Sequence, residues 1–112
     1  SMLDLRNADE IYVYPGATDM RYGIQGLFEL ADNPKENTVH VFCSANRRTV
    51  KILCAEEGCV YLLVKRLTCG KFSWPAKGET SGIDYGQLSM LLDTGTIVTR
   101  IERNGKIGQL VF

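Results

Sequence analysis

Three apolar segments rich in β-branched residues follow one another between positions 38 and 66 with very little between them, and this constrains the fold more than any other feature. The first is Thr38-Val39-His40-Val41-Phe42-Cys43, the second covers residues 49–55, and the third covers residues 59–66. Only Ser44-Ala45-Asn46-Arg47-Arg48 and Glu56-Glu57-Gly58 separate them. Links this short cannot hold a crossover, so consecutive segments must lie side by side and antiparallel. The chain therefore reads as a β-meander. Residues 60–64 are almost uniformly apolar. Strands buried on both faces carry that pattern, which puts the third segment at the centre of the expected sheet. Thr68-Cys69-Gly70 then turns the chain into a further short strand, 71–74, closed by Pro75.

The flanks add helices and a hairpin. Ile11-Tyr12-Val13-Tyr14 has strand composition, and Pro15-Gly16 ends it. Thr18 suits an N-cap, with Asp19 at the positive end of a following helix. Met20, Ile24, Leu27, Phe28 and Ala31 fall on one helical face, and Asp32-Asn33-Pro34 stops it. Gly23 and Gly26 are costly inside a helix and are read as points of close approach to a neighbouring backbone. After a loop over 75–82, Asp84 and Gln87 form a capping box, with Ile83 and Leu88 as a hydrophobic staple. Leu88, Leu91 and Leu92 make that helix's apolar stripe, and Gly95 fits the position just past its end. Residues 97–103 and 106–112 flank Asn104-Gly105, a strong hairpin signal. The fold class expected is α+β: an antiparallel β-meander sheet with two helices and a C-terminal β-hairpin. One domain covers 1–112, with Ser1 before Met2 read as the scar of a removed tag.

Hydrophobic residues make up 45% and charged residues 23%, the balance of a globular chain and not of a disordered one. No apolar run reaches the length of a membrane span and no signal peptide opens the chain, so a cytoplasmic protein is expected. On that ground Cys43, Cys54, Cys59 and Cys69 are read as reduced thiols. None of them has zinc-knuckle spacing, and His40 is the sole histidine, so no metal or other cofactor is expected.

Formal net charge is zero, but it is unevenly spread. Residues 1–38 hold three basic and seven acidic residues, −4; residues 39–78 hold seven basic residues against Glu56 and Glu57, +5; residues 79–112 hold three against four, −1. Arg47, Arg48, Lys51, Lys65, Arg66 and Lys71 lie at turns or on adjacent strands of the meander. Neighbouring strands are about 4.8 Å apart, so these cations can converge on a polyanion. Phe72 and Trp74 alternate onto one side of their strand, either as core residues or as a platform for bases, with core preferred. No nucleophile, acid–base pair or phosphate loop accompanies His40, so an enzyme is not expected. A third class is an assembly protein. The expected hairpin leaves a strand edge ending in Leu110-Val111-Phe112 that can pair with a partner or a second copy.

Four blocks in order resemble a known family. Thr18-Asp19-Met20-Arg21, then Gly23 and Gly26-Leu27, open the pattern. Val41-Phe42, the arginines and Lys51-Ile52-Leu53 continue it. Lys65-Arg66-Leu67, Gly70-Lys71-Phe72 and Trp74-Pro75 form its most distinctive part, and Gln87-Leu88, Met90-Leu91-Leu92 and Gly95 close it. The blocks resemble the TnpB-like, second-open-reading-frame protein of insertion-sequence-66 transposons, and the resemblance spans about residues 11–97. The resemblance implies an accessory protein of DNA transposition, a constituent of a mobile genetic element. Its implied partners are DNA and the transposase or other proteins of the same element, and a homo-oligomer is compatible with it. It adds Arg21 to the candidate DNA contacts and gives weight to Lys65 and Arg66. The expected function is non-specific DNA binding in support of the transposase; the alternative is a protein-only adaptor docking on the transposase without touching DNA. The sequence departs from the family at Cys54-Ala55-Glu56-Glu57-Gly58, where an aromatic pair, aspartate and glycine are usual, and two carboxylates there argue against that turn meeting phosphate.

Overall fold

The computed structural model describes residues 8–78 in full and the backbone of 96–101 and 106–111. Strands β1 (Glu10–Ala17), β2 (Thr38–Cys43), β3 (Thr49–Glu56), β4 (Cys59–Arg66), β5 (Thr96–Ile101) and β6 (Lys106–Val111) form one sheet in the order β4-β3-β2-β1-β6-β5. Helix α1 (Ile24–Leu30) lies between β1 and β2 in the chain.

The sheet is mixed, which corrects the expected antiparallel meander. β2, β3 and β4 do run antiparallel, from Thr38↔Ala55 to Cys43↔Val50 and from Thr49↔Arg66 to Glu56↔Cys59. β1, however, pairs with β2 in parallel, Ile11↔Val39 through Val13↔Val41. The physical reason lies in the link. A strand, a helix and a strand that returns beside the first make a crossover, and a crossover produces a parallel pair. One helix, not two, is present among the described residues; the second expected helix, 84–95, falls outside them, as does the Asn104-Gly105 turn. Nor does the C-terminal pair leave Leu110-Val111 on a free edge, because β5, and not β6, is the outer strand. β6 is inserted between β1 and β5, with Ile107 opposite Ile11 and Leu110 opposite Ile97.

The central strand also differs from expectation. β2 is buried along its whole length, whereas β4 forms an edge. The apolar run in β4 has a different cause from two-sided burial. Val60 and Leu62 pack beside Leu27, Phe42 and Leu53 under α1, while Tyr61, Leu63 and Val64 are 37%, 40% and 58% exposed.

Each face of the sheet has its own cover. Ile11, Val13, Val39, Val41, Cys43, Val50, Ile52 and Cys54 share one face with Phe72 and Trp74. Residues 71–74 form no strand; the segment crosses that face as a strap. Pro15-Gly16 does not end β1, because the strand bulges there instead. The register shifts between Val13 and Ala17, and the strap satisfies the displaced backbone groups. Trp74 Nε1 donates to the Tyr14 carbonyl at 2.9 Å, and Gly16 N–H donates to the Pro75 carbonyl at 2.8 Å. Trp74 and Phe72 are therefore core residues, 9% and 4% exposed, and neither ring is a platform for bases.

On the helix face, α1 starts later than expected. Gly23 is its N-cap, with no side-chain cap, and Thr18 instead ties its N–H to the Cys43 carbonyl at 2.8 Å. The Lys51 ammonium explains the delay. It draws in the carbonyls of Met20 (2.8 Å) and Tyr22 (2.7 Å), which a helix begun at Thr18 would have needed for its own ladder. Leu27 is fully buried and Phe28 and Ala31 pack beside it, but Ile24 is 45% exposed. The close approach at Gly26 is to a side chain: a Cβ there would meet the Tyr22 ring at 2.6 Å, and at Gly23 nothing lies near. Asp32 and Asn33 turn left-handed, φ 59° and 52°, and stop the helix where expected.

His40 is held on this face by partners on both nitrogens. Thr38 Oγ1 donates to the Lys35 carbonyl at 2.7 Å, so it accepts from His40 Nε2–H at 2.9 Å. Nδ1 is then the acceptor for the Tyr14 hydroxyl at 2.7 Å. The ring stacks on Tyr12 with centroids 5.0 Å apart, and Tyr14 stacks on Phe42 at 4.3 Å. Burial pushes the imidazole down to about 4 and the Tyr14 phenol up to about 12, so both are neutral at neutral pH.

Candidate nucleic-acid interface

Strand direction decides which loops share an end of the sheet. β1 and β2 finish where β3 begins and β4 finishes, so loop 18–23, turn 44–48 and strap 67–77 gather at one end. These loops carry Arg21, Arg47, Arg48, Lys71 and Lys77, and the strand ends there add Lys51, Lys65 and Arg66. Among residues 8–78, the opposite end gathers Asp9, Glu10, Glu36, Glu56 and Glu57, with Lys35 as the basic residue among them. The rise of a strand sets the two ends of β3 about 23 Å apart, well over a Debye length at physiological salt.

Turn 44–48 is stiff. Ser44 Oγ donates to Asn46 Oδ1 (2.8 Å), which also accepts Arg48 N–H (3.0 Å), and Thr49 N–H donates to Ser44 Oγ (3.1 Å). Arg47 stands exposed at the tip in the left-handed region, φ 60°. A non-glycine residue there carries a cost of roughly 1–2 kcal/mol, which the surrounding hydrogen bonds offset. The carbonyls of Arg47 and Arg48 accept from Phe72 N–H (2.7 Å) and Leu67 N–H (2.8 Å), so turn and strap form one unit.

The seven sequence-predicted contacts do not all take the same role. Arg66 is exposed on the helix face, paired in register with Thr49, and Lys65 lies on the strap face opposite Val50. That puts one charge on each side of the sheet beside the turn. Lys71 is exposed on the strap. Arg48 is half-buried: its Nη2 reaches the Thr68 carbonyl at 3.3 Å, and its Nε is buried without a hydrogen-bond partner among the described residues. Lys51 is half-buried and holds loop 18–23, so its first role is architectural. That loop presents Arg21, whose side chain is 91% exposed and forked onto Asp19, with Nη2 2.6 Å from Oδ2 and Nε 3.1 Å from Oδ1. The hydrogen bonds from Arg21 hold the Asp19 carboxyl down at about 2, and Asp19 in turn raises the guanidinium.

The threonine-aspartate-methionine-arginine block thus forms the loop that Lys51 anchors, and the block from Lys65 to Pro75 forms the end of β4 and the strap. The sequence profile of the IS66 Orf2-like proteins matches residues 9–102, a stretch that takes in β1 to β5. The chain belongs to the IS66 Orf2-like protein family. It is thereby a transposition-associated accessory protein. No curated protein and no solved structure matches it.

Within this IS66 Orf2-like chain, sequence reasoning passed over Lys77, whose backbone abuts Gly16 at the basic end. The signal that finds it is the strap, which no local pattern announces. A cleft of about 200 Å³ opens beside Arg47, between Gly16-Ala17, Ser44-Ala45 and Trp74-Pro75-Ala76. All four cysteines are free thiols, and burial pushes Cys43 up to about 11 and Cys54 up to about 12. Among the described residues, no three His, Cys, Asp or Glu side chains gather where a metal could sit, and no helix is long and apolar enough to cross a membrane.

Proposed function

We propose that this protein is a non-catalytic accessory factor of transposition that holds DNA, without sequence preference, against the basic end of its sheet while the transposase acts. One observation carries this reading: Arg21, Arg47, Lys65, Arg66, Lys71 and Lys77 converge on one end, where Asp19 pairs with Arg21, while Glu56 and Glu57, the carboxylates of residues 39–78, lie at the other. Lysine and arginine neutralise phosphates and release counterions, so affinity comes from charge and steepens as salt falls. The acidic far end repels the polyanion and fixes which end approaches it. The carboxylates of the Glu56-Glu57-Gly58 turn, unusual for the family, do not oppose contact, because that turn is at the remote end.

Titration with duplex and single-stranded DNA across a salt series tests the proposal. The expected result is micromolar-class binding at low salt, with an observed affinity that falls by close to one log unit per log of salt for each phosphate contact. Lys65→Ala with Arg66→Ala should lower that slope by about two. No affinity at low salt, or an unaltered slope in the double variant, overturns it. The remaining reading would then be docking on the transposase without DNA, measured by pull-down of the neighbouring transposase.

A further inference from the structure

Among the described residues, the β4 edge is unusually open for the edge of a sheet. It pairs with β3 over eight consecutive register positions with no shift, and it contains no proline. Natural edges are commonly blunted by a bulge, a proline or a charge in mid-strand, because their unpaired N–H and C=O groups are a template for another strand. Here the middle of the edge is apolar instead. Tyr61 and Leu63 are exposed on the strap face and Val64 on the helix face. Its charges are confined to the two ends, with the Glu56-Glu57 turn before the strand and Lys65-Arg66 at its finish.

We propose that β4 is a self-complementary docking edge and that its occupant is β4 of a second copy of this chain, paired antiparallel about a two-fold axis perpendicular to the sheet. The charge pattern selects both partner and direction. An antiparallel copy brings its acidic turn to the basic finish of the first strand, and the two-fold repeats that contact at the other end. Parallel pairing would put Arg66 opposite Arg66, and like charges directly opposite are destabilising. Centring the pair on Leu62 places Tyr61 opposite Leu63 of the second copy and Val60 opposite its Val64. Arg66 then lies opposite Gly58, beside Glu57. The three exposed apolar side chains of each copy are covered by the other, and the sheet continues across the two chains. This inference does not depend on DNA binding, although Arg66 belongs to both surfaces.

Sedimentation of the full chain without DNA, over a concentration series at low and at moderate salt, tests the proposal. The expected result is a concentration-dependent doubling of mass, weaker at the higher salt. Tyr61→Lys with Val64→Lys puts charge in the middle of the edge and should raise the dimer dissociation constant by about tenfold or more, with an unaltered circular-dichroism spectrum. Arg66→Glu should weaken the dimer, and Glu57→Arg combined with it should restore the affinity, a rescue that only self-pairing through these ends provides. A chain that stays monomeric throughout overturns the inference. So does a dimer indifferent to the two lysines, or a double charge swap no better than Arg66→Glu alone.

Discussion

The two ends of the β1–β4 part of the sheet are built from the same four strands and a similar set of short, hydrogen-bonded loops, yet they present opposite charge. At one end Arg47 stands on a turn locked by Ser44 and Asn46, and the strap is tied to it through Phe72 and Leu67. At the other, Asp9 N–H donates to the Asn37 carbonyl and Asn37 N–H to the Ala55 carbonyl, both at 2.7 Å, which holds the carboxylate-bearing loops together. Rigidity does not distinguish the ends; the sorting of charge does. That sorting follows from connectivity. A turn between antiparallel strands stays at one end, and the next turn falls at the other. The crossover through α1 returns β2 alongside β1, so loop 18–23 begins at the end where turn 44–48 also lies.

The largest expected effect on this contrast comes from the strap. Trp74→Ala removes a buried indole and its hydrogen bond to Tyr14, and should cost about 3–5 kcal/mol in denaturant unfolding. DNA affinity should fall with it, because Lys71 and Lys77 lose their support. A variant that keeps its stability would mean the basic end is not organised by the strap.

Acid should act next, and in two separate windows. The folded-state pKa of His40 lies below its unfolded value of 6.5, at about 4. At pH between these values the unfolded chain binds a proton that the folded chain does not. Stability therefore falls as pH drops from 6.5 to about 4, by about 3 kcal/mol in all. Asp19 is also depressed, from 3.8 to about 2, but as an acid, so its contribution is present above 3.8 and is lost only as pH falls through about 2. Urea midpoints between pH 7 and 4 should show the first window, and His40→Gln should flatten it. A wild-type chain with no slope there would remove His40 from the account.

The smallest effect is the most diagnostic for the basic end. Lys51→Met leaves the carbonyls of Met20 and Tyr22 without their ammonium donor and should destabilise by about 1–2 kcal/mol. It should leave the salt slope of DNA binding nearly unaltered, because Lys51 acts on the loop. A slope lowered as much as by removing Arg66 would place Lys51 among the phosphate contacts instead.

Much of this was legible from residues alone. β2 and β4 have the expected limits, α1 stops at Asp32-Asn33, and the family follows from blocks such as Lys65-Arg66-Leu67 and Trp74-Pro75. The errors have particular causes. Residues 60–64 look central because apolarity alone does not separate two-sided burial from an edge strand with one side under a helix and the other open. Pro15-Gly16 looks like a strand end because nothing local shows that Trp74, sixty residues on, supplies the missing partner. Thr18 looks like a cap because the competing claim on the Met20 and Tyr22 carbonyls comes from Lys51, on another strand. For the candidate site, the sequence named most of the cations but could not distinguish Arg66, which is exposed, from Lys51, which holds a loop.

Local chemistry in the sequence determined β2, β3, β4, the two short turns between them, the stop of α1 and the membership of the family, since propensity, turn residues and short motifs act over a few positions. Tertiary structure alone decided the parallel pairing of β1 with β2, the edge position of β4 and the division of a +5 segment into a basic and an acidic end. Those depend on which strands become neighbours and in which direction, and that is settled by contacts between residues far apart in the chain.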